Sequence, residues 1–186
     1  MKSKKGSKFE REISGVLSRW WTGGIRDDIF WRTPGSGARA TTRMKKKLQT
    51  ADSAGDIMAI DKIGKKFTKF FLIELKRGYS SKLTILDIID GPKKKSIILE
   101  WWKKAEKERV DSKRKDIILI FKRDRKDPCV AITKKLFNIL FKADKIDHIE
   151  ILKKPYNIYI ITLSNFLKVI PKKLLENKYK RVRRRI

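Results

Sequence analysis

The chain reads as an α/β domain, and three observations lead there. Apolar residues recur at helical spacing in separate stretches, short apolar runs bounded by turn residues alternate with those stretches, and 186 residues at 40% hydrophobic content suffice to bury a core. Although 38% of positions are charged, the low-hydrophobicity signature of disorder is absent. There is no internal repeat.

Phe9, Ile13, Val16, Leu17 and Trp20 fall at i, i+4, i+7, i+8 and i+11, the stripe of a core-facing helix, which Gly23-Gly24 terminates. Ile29-Phe30-Trp31 reads as a strand that ends in the punctuation Arg32-Thr33-Pro34-Gly35-Ser36-Gly37. From there to Gly55 the chain is small, polar and basic, a long loop of the kind that carries function. Two strands are expected at 56–60 and 70–76, and the polar stretch around Gly64-Lys65-Lys66 suggests that they form an antiparallel hairpin. A helix over about 93–109 follows from the shared face of Ile97, Ile98, Trp101, Trp102 and Ala105. Strands at 116–121 and 129–133 flank the turn at 123–127. Beyond Lys134 come a helical piece at 136–141, a strand at 157–163 and a helix opened by Ser164 and interrupted at Pro171. The division expected is a core over 1–134 and a C-terminal α/β extension over 135–186 that closes in a basic tail.

Charge narrows the partner. Lys and Arg number 49 against 21 Asp and Glu, a net +28, which repels itself in the compact state unless a polyanion neutralises it. Candidate phosphate contacts are Lys5, Arg11 and Arg32 near the first helix and strand. The long loop adds Arg39, Arg43, Lys45, Lys46 and Lys47. The tail adds Arg181, Arg183, Arg184 and Arg185. The single cysteine, Cys129, allows no internal disulfide and fits a reducing compartment. Residues 1–10 lack the apolar segment of a secretory signal and the apolar runs are too short to span a bilayer, so a cytoplasmic, DNA-associated protein is expected.

The chemistry centres on 70–76. By the two-residue period of a strand, Leu72, Glu74 and Lys76 share one side and Phe71, Ile73 and Leu75 the other, which sets two opposite charges side by side on an otherwise apolar strand. A hairpin turn centred on Lys65 would place Asp56 across from Glu74. Two carboxylates at such range repel, and a hard cation relieves the repulsion; Mg²⁺ characteristically takes one or two carboxylates plus water and substrate phosphate. The expected metal donors are therefore Asp56, Glu74 and the backbone carbonyl of Leu75, with Lys76 orienting water or stabilising developing negative charge. This is an arrangement for phosphodiester hydrolysis.

Gly55-Asp56 followed by Glu74-Leu75-Lys76 resembles the PD-(D/E)xK nuclease superfamily, with Gly55 where the family has proline. Within it, Lys5-Gly6 and Glu10-Arg11-Glu12 on the first helix, then Arg32 and Gly35-Ser36-Gly37, resemble the archaeal and phage Holliday junction resolvases, so that a virus-encoded protein is one of the sources the resemblance admits. The match in element order runs to about Thr133. The resemblance implies a restriction-endonuclease-like core, a central mixed β-sheet flanked by helices. It also implies a homodimeric, Mg²⁺-dependent endonuclease, with Mn²⁺ substituting, that nicks branched DNA. Glu10 falls on the family's helix-one acid, an outer metal ligand and catalytic residue, and Ser36 on its loop serine near the scissile phosphate. Two departures stand out: the loop from Gly37 to Asp56 is long for a resolvase, and a glutamine common on the following helix is here Lys103 or Lys104.

Each of these residues has a plainer reading. Glu74 and Lys76 suit a solvated strand face with an ion pair worth under ~1 kcal/mol. Ser7-Lys8-Phe9-Glu10 has the pattern of a capping box, with Glu10 bonded to the amide of Ser7. Trp20 and Trp101 suit a core, while their neighbours Trp21 and Trp102 are expected nearer the surface. His148 has no partner at zinc or triad spacing. Asp27, Asp28, Asp52, Asp61, Asp87 and Asp90 are further acids on which a metal site could rest. The basic loop and tail would also serve a non-catalytic nucleic-acid-binding protein, and a related nuclease cutting duplex or single strands fits the same residues.

Overall fold

A computed structural model describes residues 4–34, 54–78, 96–141, 146–153, 155–169 and 171. Helix α1 (Lys4–Trp21) buries Phe9, Ile13 and Leu17, the apolar stripe of its sequence. Strands β1 (Phe30–Arg32) and β2 (Ile57–Ala59) pair antiparallel, with Trp31 opposite Met58. A 3₁₀ turn (Lys62–Gly64) and helix α2 (Lys65–Phe70) then lead into β3 (Phe71–Arg77). Helix α3 (Ile97–Asp111) precedes β4 (Asp116–Lys122), and β5 (Cys129–Thr133) runs directly into α4 (Lys134–Phe141). Strands β6 (Ile149–Lys153) and β7 (Tyr156–Thr162) and the short helix α5 (Leu163–Leu167) follow.

Five strands form a mixed sheet in the order β3-β4-β5-β7-β6, parallel at β3–β4 and antiparallel elsewhere. With helices packed on it, this is the architecture of a restriction-endonuclease-like core. One cluster packs α1, α2, α4 and α5 against Ile73, Leu75, Ile118 and Ile120; the other packs Ile98, Trp101, Trp102 and Ala105 of α3 against Leu72, Ile117 and Leu119. Alternation along β3 and β4 thus feeds two opposite faces. Strands β6 and β7, which lie beyond Lys134, extend the same sheet.

Several expectations are corrected. Strands β2 and β3 form no hairpin: β2 pairs with β1, β3 pairs in parallel with β4, and the intervening segment is helical. Phe67 explains the helix, since it is fully buried against Trp20, Trp21, Phe30 and Phe71. A parallel neighbour for β3 needs a long crossover, and α3 lies within it. Ser7 lies inside α1, so it cannot be an N-cap and the capping box does not form. Trp102 is buried like Trp101, whereas Trp31 is the tryptophan that reaches the surface. The cap of α5 is Thr162, whose side chain accepts from the Asn165 amide, in place of Ser164. Strand β6 was not foreseen.

Candidate active site

Asp56 stands immediately before β2, where the two-stranded sheet meets the free edge of β3. Its amide donates to the Ile73 carbonyl at 2.8 Å, its carbonyl accepts from the Thr33 amide at 2.8 Å, and its carboxylate Oδ2 accepts from the Leu75 amide at 2.8 Å. The side chain therefore occupies a ladder position that a sixth strand would otherwise fill. This close approach depends on Gly55, which has φ +77° and whose missing Cβ would sit 2.6 Å from the Ile73 carbonyl oxygen. The Gly55 amide in turn donates to Glu108 Oε1 on α3 at 2.8 Å.

The strand geometry orders the remaining groups. Ile73 and Leu75 direct their backbone polar groups to the edge that Asp56 covers, so the Leu75 carbonyl lies on the same edge as the Asp56 carboxylate. Glu74 and Lys76 alternate to the face that α3 covers, and their side chains are in direct contact. Glu74 is pushed up from 4.5 to about 7, first by burial, then by the charge of Asp56, with Glu108 adding to the shift and Lys76 opposing it. A carboxyl group poised near neutrality between two other acids and an ammonium belongs to a site where charge is concentrated. Two carboxylates and a carbonyl suit a hard divalent cation, which fills its other positions with water and substrate oxygens. Among the described residues no group of three or more His, Cys, Asp or Glu side chains is placed to hold a metal, so these two acids would share it with the carbonyl and solvent.

Glu10 is buried on α1 and faces Arg32 at 3.5 Å, and Arg32 adjoins Thr33, the donor to the Asp56 carbonyl. It is thus joined to Asp56 through β1. Glu12, on the other edge of the stripe, pairs with Lys122 at 3.6 Å. Lys5 lies in the first turn of α1 and Arg11 is exposed on it. Ser36, Arg39, Arg43, Lys45, Lys46 and Lys47 fall outside the described residues, as do Arg181, Arg183, Arg184 and Arg185. Of the further acids, Asp28 and Asp61 clamp Arg26 at 2.8 Å each, Asp27 pairs with Arg19 at 3.4 Å, and Asp52, Asp87 and Asp90 are outside the described residues. His148 stacks near Phe137 and Tyr159.

Glu108 is the residue that sequence reasoning missed. It lies 53 positions from Gly55, on a helix whose legible signal was its apolar face. Only the fold brings the two together.

Comparison with protein families finds that residues 1–177 match a family described as phage putative PDDEXK endonuclease. No curated protein and no solved structure matches the chain. Among the described residues no helix is long and apolar enough to cross a membrane.

Proposed function

The chain belongs to the phage putative PDDEXK endonuclease family, and from that premise we propose that it is a Mg²⁺-dependent endonuclease that cleaves branched DNA from a site built on Asp56, Glu74 and Lys76. Nucleases of this superfamily generally use divalent metals; Mg²⁺ is the proposed ion, with Mn²⁺ able to replace it. The observation that carries the reading is geometric: the Asp56 carboxylate is held on the Leu75 amide, next to Glu74 on the same strand, and Glu74 is in contact with Lys76. When bound by Asp56, Glu74 and the Leu75 carbonyl, the ion would supply Lewis-acid stabilisation of the phosphoryl oxygens and activation of water.

The chain's own residues do the rest. Asp56 is fixed by three hydrogen bonds and presents its remaining lone pairs without reorganisation. Lys76 contacts Glu74 in the free protein and, once Glu74 is engaged, has an ammonium to turn toward the attacking water or the developing negative charge. Glu10 and Arg32 hold the β1 side of the site, and Ser36 acts near the scissile phosphate. Lys5, Arg11 and the basic residues of the loop and tail engage flanking phosphates. Residues 135–186 form an extension of the nuclease core. Two symmetric nicks on a four-way junction need two sites in two-fold relation, so the working form is a homodimer.

The test is incubation of the purified protein with four-way junction, duplex and single-stranded DNA of matched sequence, in Mg²⁺, in Mn²⁺ and in chelator. Cleavage confined to the junction and abolished by chelator is expected. Equal cleavage of all three removes the branched-DNA preference, and cleavage of none removes the enzyme.

A further inference from the structure

Helix α3 presents a second, unassigned surface on the side opposite its buried tryptophans. Ser96, Leu99, Lys103 and Lys107 recur along one stripe of the helix, with Glu100 and Lys104 beside them, and Tyr156 at the start of β7 faces them across a groove of about 610 Å³. The floor is apolar, since Leu99 and Tyr156 are half-buried against the core of α3, while the three lysines on the rim are exposed. Among the described residues Glu100 is the one acid in the lining.

Ser96 marks this groove as more than a basic surface. It is the N-cap residue of α3, yet its hydroxyl makes no capping bond, and although the residue is only 4% exposed its Oγ has no hydrogen-bond partner among the described residues. Buried hydroxyls are rarely left unpaired, and here the unpaired one belongs to a residue that lines the groove at the uncapped first turn of a 15-residue helix, where backbone amides favour anions.

We propose that this groove binds a single-stranded stretch of DNA, with phosphates at the start of α3 beside the Ser96 hydroxyl and on Lys103, Lys104 and Lys107, and a base against Tyr156 and Leu99. Cations and an apolar aromatic floor complement a strand that exposes both phosphates and base faces, whereas a duplex hides its base faces. Glu108, near the C-terminal end of the same helix, bonds Gly55 beside Asp56 from a different face, so the groove and the candidate active site share α3 without lying on one stripe. From Ser96 to Lys107 the helix rises about 16 Å, roughly five nucleotides at stacked spacing. The binding does not rest on the nuclease reading.

The test is fluorescence-anisotropy binding of the full-length protein to a labelled single strand and to a duplex of equal length, in chelator, across a salt series. Replacing the three lysines together (K103Q, K104Q, K107Q) is expected to flatten the log–log salt slope for the single strand by about 2, at ~0.7 per phosphate, with little effect on the duplex. Ser96→Ala is expected to weaken single-strand binding about tenfold without lowering Tm, because the lost hydroxyl has no partner in the free protein. Unchanged single-strand affinity in Ser96→Ala and in the triple variant would overturn the proposal. So would equal losses on single strand and duplex, or equal losses on a polyglutamate competitor, which would leave only a cationic surface. Variants that show the expected losses while the wild-type protein cuts no DNA in Mg²⁺ would remove the nuclease reading and leave this site standing.

Discussion

Replacing Glu74 by Gln is expected to stabilise the metal-free protein at pH 8. The Glu74 side chain is only 15% exposed, and the charges around it are Asp56 before β2, Glu108 on α3 and Lys76 on its own strand. Burial and the two acids raise its folded value from 4.5 to about 7, so between those limits the native protein holds a proton that the unfolded chain has already released. Stability then falls as pH rises through this window and levels off above about 7. At ~1.4 kcal/mol per pH unit the loss amounts to roughly 3 kcal/mol, which for a chain of this size corresponds to about 6–12 °C in Tm. Gln cannot ionise and retains an oxygen for Lys76, while Asp56, Glu108 and Lys76 are common to both proteins, so the difference isolates Glu74. Scanning calorimetry in chelator from pH 4 to 8.5 should show the two proteins alike near pH 4.5 and the variant more stable at pH 8. Mg²⁺ added at pH 8 should raise the Tm of wild type and not that of the variant, since an ion that binds only the native state stabilises it by mass action. Parallel curves across the whole pH range would refute the account of Glu74 as a strained, buried acid.

Asp56→Asn should lower cleavage by about a thousandfold if the carboxylate stabilises several kcal/mol of transition-state charge, and should shrink the pH-dependent loss of stability because Asp56 is one cause of the raised Glu74 value; rate assays and the same calorimetry check both. Gly55→Ala should cost about 3 kcal/mol or more in denaturant melts, from a left-handed backbone and a Cβ driven against the Ile73 carbonyl, and Gly55→Pro should cost more, since proline fixes φ near −65° and removes the amide that bonds Glu108. Glu108→Ala should reduce kcat about tenfold with KM for DNA little changed, while Glu108→Gln, which keeps an acceptor for the Gly55 amide, should restore most of it; steady-state kinetics on both variants decide the matter.

Much of the fold was legible because burial imposes periodicity. Phe9, Ile13 and Leu17 on α1, and the continuous apolar run of β4 buried on both faces, leave patterns that survive without knowledge of their partners. The segment 62–70 misled because Gly64-Lys65-Lys66 looks like a turn between two apolar runs. The competing signal was the helical spacing of Ile63, Phe67 and Phe70, too short to outweigh the turn residues. Strand β6 was hidden by its position at the sheet edge, where Ile149 and Leu152 are exposed and no regular alternation had to be maintained.

The apposition of Asp56 and Glu74 was anticipated from a register that does not exist, and the reason it nonetheless occurs lies in Gly55. A hairpin would have placed the two acids opposite each other through ladder bonds between β2 and β3. In the protein β2 belongs to β1, and among the described residues the hydrogen bonds from this segment to β3 are those of Asp56, which gives its amide to Ile73 and takes the amide of Leu75 with its own carboxylate. Such side-chain pairing needs the backbone ahead of Asp56 to press against Ile73, which only a residue without Cβ permits here. Gly55 thus meets one requirement: an aspartate carboxylate held at the edge of the strand that carries the glutamate. Asp56 makes this edge polar and, after burial, is the next cause of the raised Glu74 value, so the meeting of the two acids costs the protein stability above neutral pH.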